Sequence, residues 1–281
     1  MRFSQIDVFT DQLAYGNPVA VVHDADALTD EQMAAFARWT NLSETTFLLA
    51  PTDPVADYRV RIFTTTDELP FAGHPTLGSA RAWLGAGGVP RQDGQLVQEC
   101  GAGLVRVRDD GYRLAFAAPP LLRSGPVDDA DVAQIIDRIG IDPSLVVDAQ
   151  WADNGPGWAA LLLADAEAVL GLEPGPAVPG GIGRIGVVGR IGVVGPHPAG
   201  AETAFEVRAF TRNPGGEDPA TGSLNASIAQ WLIGAGQAPD SYVASQGTRV
   251  GRRARIHVDR IDDDIWVGGG TVVGITGTVD L

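Results

Sequence analysis

The chain has 281 residues and a mass of 29.3 kDa, a length for one large or two medium domains. It is 44% hydrophobic and 20% charged, the composition of a globular protein whose core needs no covalent staples. Its one cysteine, Cys100, excludes a disulfide framework and a Cys-rich zinc or iron–sulfur site. Thirty-five acids against 20 bases give a net charge of −15, so a phosphate backbone is repelled and no nucleic-acid partner is expected. All 20 bases are arginine. Without lysine there is no Schiff-base chemistry and no Walker P-loop. The opening residues 1–7 carry no apolar leader, and no uncharged stretch approaches the roughly 20 residues that span a bilayer; a cytoplasmic protein without membrane contact is expected.

Residues 3–9 alternate like a strand, break at Gly16-Asn17-Pro18 and resume at 19–22. Thr29 and the acids after it predict a capped helix ending near Thr40. Strands are expected at 45–50, 57–63, 95–99, 102–108 and 111–117, with a small-residue helix from Thr76 to Leu84 among them. Ala117-Ala118-Pro119-Pro120 marks a boundary, so domains over 1–118 and 119–269 are expected, with a strand at about 270–281 able to return to the first. The second begins with a helix at 130–139 and strands at 144–149 and 158–163, before a Gly/Pro stretch at 174–183.

One pattern occurs twice. Tyr58-Arg59-Val60-Arg61-Ile62-Phe63-Thr64 is echoed by Phe205-Glu206-Val207-Arg208-Ala209-Phe210-Thr211. Each copy leads through a Gly/Pro/acid loop to a helix containing Trp83 or Trp231 and closing on Gly-Ala-Gly, with 20 and 21 positions from phenylalanine to tryptophan. Two related domains are the natural reading, since identical residues recur at both ends. A shorter duplication, Arg184–Gly189 copied as Arg190–Gly195, creates a G-x-G-x-x-G string at Gly181, Gly183 and Gly186. Neither a preceding strand nor a following helix frames it, so no nucleotide site is assigned.

At Phe71-Ala72-Gly73-His74-Pro75-Thr76 and Glu217-Asp218-Pro219-Ala220-Thr221-Gly222-Ser223, small and polar residues meet a helix start. Such starts offer unpaired N–H groups and the positive end of the helix dipole to a carboxylate. Plain capping by Thr76, Asp218 or Ser223 would explain either alone; their occurrence at matching places favours a shared ligand. Glu44, in Asn41-Leu42-Ser43-Glu44-Thr45, is the candidate acid/base, and His74 is the only histidine inside a motif. His23, His197 and His257 sit in strand or loop contexts, and Asp262-Asp263-Asp264 lacks the spaced oxygens of a metal site.

Together with Gln5–Thr10, Gly16-Asn17-Pro18, Gln246-Gly247 and Gly251-Arg252, these motifs resemble the PhzF family of phenazine-biosynthesis-like isomerases. The resemblance implies an α+β, diaminopimelate epimerase-like fold: two similar domains, each a mixed, mostly antiparallel sheet wrapped around a central helix, with the active site between them. Epimerases of this fold use two cysteines ahead of the central helices; here Gly73 and Asp218 hold those places, so two-thiol racemisation is not expected. It implies instead that Glu44 moves a proton, that His74 and Asp218 position the substrate, and that Gly73, Thr76, Gly222 and Ser223 bind its carboxylate. Leu224-Asn225 and the inserted hexapeptide depart from the family pattern. A cofactor-free, metal-free, homodimeric isomerase of a small unsaturated carboxylic acid is expected; the alternative is a non-catalytic acid-binding or interaction protein using the same cleft.

Overall fold

A computed structural model describes residues 1–173, 190–211 and 216–281. The chain divides into two compact units, Met1–Ala117 with Val267–Leu281, and Ala118–Trp266. The first contains β1 (Arg2–Val8), β2 (Asn17–Val22), α1 (Asp30–Thr40), β3 (Thr45–Leu49), β4 (Tyr58–Phe63), β5 (Glu68–Leu69), α2 (Gly73–Gly85), β6 (Gln95–Cys100), β7 (Gly103–Asp109) and β8 (Leu114–Ala117). The second contains β9 (Arg123–Pro126), α3 (Asp129–Ile139), β10 (Val146–Asp153), β11 (Trp158–Leu163), α4 (Ala166–Leu170), β12 (Arg190–Pro196), β13 (Phe205–Phe210), β14 (Glu217–Asp218), α5 (Gly222–Gly234), β15 (Ser241–Gln246) and β16 (Ala254–Ile261). β17 (Asp264–Gly269) leads back to the first unit, where β18 (Thr271–Thr278) ends the regular structure. The architecture is α+β.

Local chemistry explains where the helices lie. Thr29 and Gln32 form a reciprocal capping box at the start of α1, and Asn41 ends that helix in the left-handed region at φ 56°. Met33, Phe36 and Ala37 line its inner stripe and pack on Val22, Phe47 and Phe63 of the sheet. α2 and α5 are different: nearly every position of their first two turns is buried, as suits a central helix enclosed by its sheet. Small residues make the enclosure possible. A Cβ built on Gly78 of α2 would lie 2.2 Å from Val19 Cγ1, and one on Gly192 of β12 would lie 2.4 Å from Leu224 Cδ1 of α5.

The two units repeat one strand diagram. β1 and β2 are antiparallel, as are β10 and β11; β2 then runs parallel to β3, and β11 to β12. β4 pairs antiparallel with β3 and β5 and parallel with β6; β13 makes the same three pairings with β12, β14 and β15. The hairpins β6–β7 and β15–β16 close the pattern. From the short strand to the helix start the copies align without a gap: Glu68-Leu69-Pro70-Phe71-Ala72-Gly73-His74 against Glu217-Asp218-Pro219-Ala220-Thr221-Gly222-Ser223. Both helices have 13 residues and end on the glycine of Gly-Ala-Gly.

Three expectations need correction. α2 starts at Gly73, not Thr76, because Pro75 sits in the first turn, where no N–H is needed. The tryptophans are one helical position out of step: with the helix ends aligned, Trp83 matches Leu232, not Trp231. The two places assigned to the thiols are not equivalent within the repeat either, since Gly73 aligns with Gly222 and Asp218 with Leu69. Elsewhere, the second hexapeptide copy forms β12, while the first copy and the G-x-G-x-x-G string lie outside the described residues.

Candidate active site

In the first unit, Glu44 enters β3 from the turn that ends α1, a turn pinned by the hydroxyls of Thr40 and Thr45 at 2.8 Å. His74 is the second residue of α2. Glu44 Oε2 and His74 Nε2 lie 3.4 Å apart, with side chains only 12% and 5% exposed. On the other side of the ring, Asn17 Nδ2 is 3.3 Å from Nδ1. Asn17 begins β2 after Gly16, whose N–H donates to buried Asp7 and which has no room for a Cβ, the Val8 carbonyl lying 2.2 Å from where it would sit.

Burial lowers the His74 pKa to about 3, a hydrogen bond to the Pro18 backbone opposing it only in part. The imidazole is therefore neutral at physiological pH. Proline has no N–H, so in the Pro18 bond the ring is the donor and the carbonyl the acceptor, while Nε2 faces Glu44. No side chain caps α2, so its first N–H groups are left to other acceptors. Thr76 does not serve there: its hydroxyl accepts from Gln98 Nε2 at 2.9 Å in the interior.

The second unit builds another polar cluster at the start of α5, which is also without a side-chain cap. Asp218, in β14, is buried and accepts a hydrogen bond from the Thr221 hydroxyl. Ser223 Oγ accepts from Trp158 Nε1 at 3.1 Å, so the serine's own proton is available to donate. Asn154 Nδ2 donates to the Ser223 carbonyl at 3.0 Å. An asparagine thus supports the second residue of both central helices, Asn17 on His74 and Asn154 on Ser223.

Within its own unit, then, Glu44 meets His74, and Gly222 and Ser223 open the helix that Asp218 precedes. Asn17, Asn154, Trp158, Thr221 and Gln246 join these clusters without having been assigned a role from the sequence. Gly16-Asn17-Pro18 and Gln246-Gly247 were visible as motifs; their partners were not. His23 is buried against Ser4, and His197 contacts Ser245 and Glu206. Burial pushes the Cys100 thiol up, away from a thiolate role. Among the described residues no group of three or more His, Cys, Asp or Glu is placed to hold a metal ion. No helix among them is long and apolar enough to cross a membrane.

A carboxylate thus lies against a neutral imidazole at the uncapped start of a buried helix in a doubled α+β fold. The PhzC-PhzF family, described as phenazine biosynthesis-like protein, matches residues 6–277, and the chain belongs to it. It is 35% identical over 297 residues to antisense-enhancing sequence 1 of Schizosaccharomyces pombe, covering 98% of this chain and 97% of that one. It is 33% identical over 253 residues to the trans-2,3-dihydro-3-hydroxyanthranilate isomerase of Pseudomonas fluorescens, covering 88% and 86%. A PhzF-family crystal structure from Bacillus anthracis shares the fold at TM-score 0.82 and 21% identity, covering 100% of this chain and 99% of that one. The chain is an isomerase of this family with the epimerase-like fold.

Proposed function

We propose that this isomerase is cofactor-independent and shifts a proton within a small unsaturated carboxylic acid. Glu44 takes the proton from one carbon, the electron pair delocalises through the conjugated system, and Glu44-H returns the proton to another carbon of that system. The proton is conserved, so no oxidant or reductant is required. His74, against Glu44, orients that carboxylate and the reacting substrate; Asp218 takes a polar group of the substrate, and the N–H groups at Gly73, Gly222 and Ser223 hold its carboxylate. The observation that carries the reading is the 3.4 Å approach of Glu44 to an imidazole that burial keeps neutral. The relative named for trans-2,3-dihydro-3-hydroxyanthranilate makes that acid the first compound to try.

The test is proton exchange into the candidate acid in deuterium oxide, followed by NMR. Wild type exchanges and isomerises it. Glu44→Gln keeps the size and most hydrogen bonds of the side chain but takes up no proton, so binding persists while exchange falls by about a hundredfold or more. Exchange at the wild-type rate in Glu44→Gln removes Glu44 as the base. Binding without exchange in the wild type favours the alternative, a protein that holds the acid without turnover.

A further inference from the structure

The start of α5 contains a hydrogen-bond chain with a fixed direction. Gln246 Oε1 accepts from the Thr221 N–H at 3.0 Å and from Asn225 Nδ2 at 2.9 Å. Asn225 Nδ2 also donates to the Thr221 carbonyl at 2.9 Å, which settles which end of that amide is nitrogen. Gln246 must therefore present its own NH2 on the other side. There Nε2 donates to the Asp218 carbonyl and to Thr221 Oγ1, both at 2.9 Å. A hydroxyl has one proton. With the amide N–H donating to its oxygen, the Thr221 proton goes to Asp218 Oδ2.

The other repeat shows that the turn does not need this chain. Tyr58 pairs with Gln98 as Phe205 pairs with Ala244, which places Cys100 opposite Gln246 and Gly101 opposite Gly247. The glycines confirm the match: a Cβ on Gly101 would meet Pro70, and one on Gly247 would meet Pro219. Asp218, Thr221 and Gln246 thus correspond to Leu69, Ala72 and Cys100. Where one unit has three linked polar groups, the other has two apolar side chains and a thiol donating to the Gly103 carbonyl. The same short strand, proline and helix start form in both. All three polar groups are present in one copy and all three are absent from the other, so the turn forms without the side-chain bond from Thr221 to the Asp218 carboxylate.

We infer that Thr221 and Gln246 are positioning residues that hold Asp218 as an ionised, oriented hydrogen-bond acceptor. The inference rests on the reading of Asp218 as a substrate-binding group. Of the groups packed around Asp218, Thr221, Gln246 and Asn225 are uncharged. Glu217 lies on the opposite face of the same two-residue strand and is paired with Arg208, and the Arg252 stem abuts Gly247.

The experiment is carboxyl 13C NMR of the unliganded protein labelled at aspartate, with the Asp218 signal identified by its loss in Asp218→Asn. Thr221→Val removes the donated proton at nearly constant volume, and the Asp218 titration midpoint rises by about one unit. Thr221→Ser restores the donor and the midpoint returns to within a few tenths. Gln246→Leu, which frees the hydroxyl to turn, raises it by a smaller amount. A folded Thr221→Val protein titrating like the wild type overturns the inference, as does a Thr221→Ser protein titrating like Thr221→Val. If Thr221→Val does not fold, Gln246→Leu decides by the same criterion. Because no substrate is present, the result is independent of proton exchange at Glu44, which tests the isomerase reading itself.

Discussion

His74 links the site to stability. Its pKa falls from 6.5 to about 3 on burial, so between those values the unfolded chain binds a proton that the folded chain refuses. The stability contribution is therefore complete above pH 6.5 and is lost as the pH falls toward 3, at up to about 1.4 kcal/mol per pH unit. Replacing His74 by glutamine, which has no charge to bury, removes this slope. Urea midpoints of both proteins at pH 7, 6, 5 and 4 check it; parallel curves would mean that His74 is not held neutral. His74 was legible as a candidate because it sits inside a motif. Its neighbour Asn17 was not, because the two are 57 positions apart and meet only when β2 packs beside α2. Local sequence reports which side chains are chemically able. Which of them share a proton depends on tertiary packing.

At the scale of elements the doubled strand–helix unit was readable because its pattern is short-range: alternating apolar residues, an arginine two positions before a phenylalanine, and a glycine-rich stop. The structure shows what the arginine does. Arg61 makes a two-pronged ion pair with Glu68 and lies 5.0 Å from the Phe63 ring; Arg208 repeats this with Glu217 and Phe210. Neither glutamate was assigned as the arginine's partner, Glu217 entering only as the first residue of a motif, because two-residue strands leave no periodicity to detect. The copies differ in burial: side-chain exposure is 18% and 42% for the first pair but 4% and 6% for the second, where Arg208 also donates to the carbonyls of Val169 and Leu172. Neutralising one partner of the buried pair strands the other charge. Glu217→Gln is accordingly expected to cost about 3 kcal/mol and Glu68→Gln less than about 1 kcal/mol, most of the exposed pair's attraction being screened by water. Equilibrium unfolding of the two variants measures the difference; equal losses would mean that burial does not govern the pair.

Across the whole molecule, the strand that follows each repeat belongs to the other unit's sheet diagram. β9 comes after β8 in the chain yet pairs with β10, and β18 comes after β17 yet pairs with β1 along its full length, from Arg2 opposite Thr278 to Val8 opposite Thr271. The first unit is therefore assembled from both ends of the chain, and the Met1 amino group donates to the Val279 carbonyl at 2.7 Å. Val279 also packs beside the apolar cluster of Phe36, Phe47 and Phe63. Pairing residues this far apart closes a long loop, and the closing strand supplies one edge of β1. Removing residues 271–281 strips one edge from β1 and leaves every pairing of β9 through β16 in place. Hydrogen exchange on the truncated chain should rise across β1 and β2, while the amides of β11, β13 and α5 keep their protection. Protection lost equally in both sets would mean that the chain unfolds as one cooperative body; protection unchanged in β1 would mean that β18 contributes nothing to holding it.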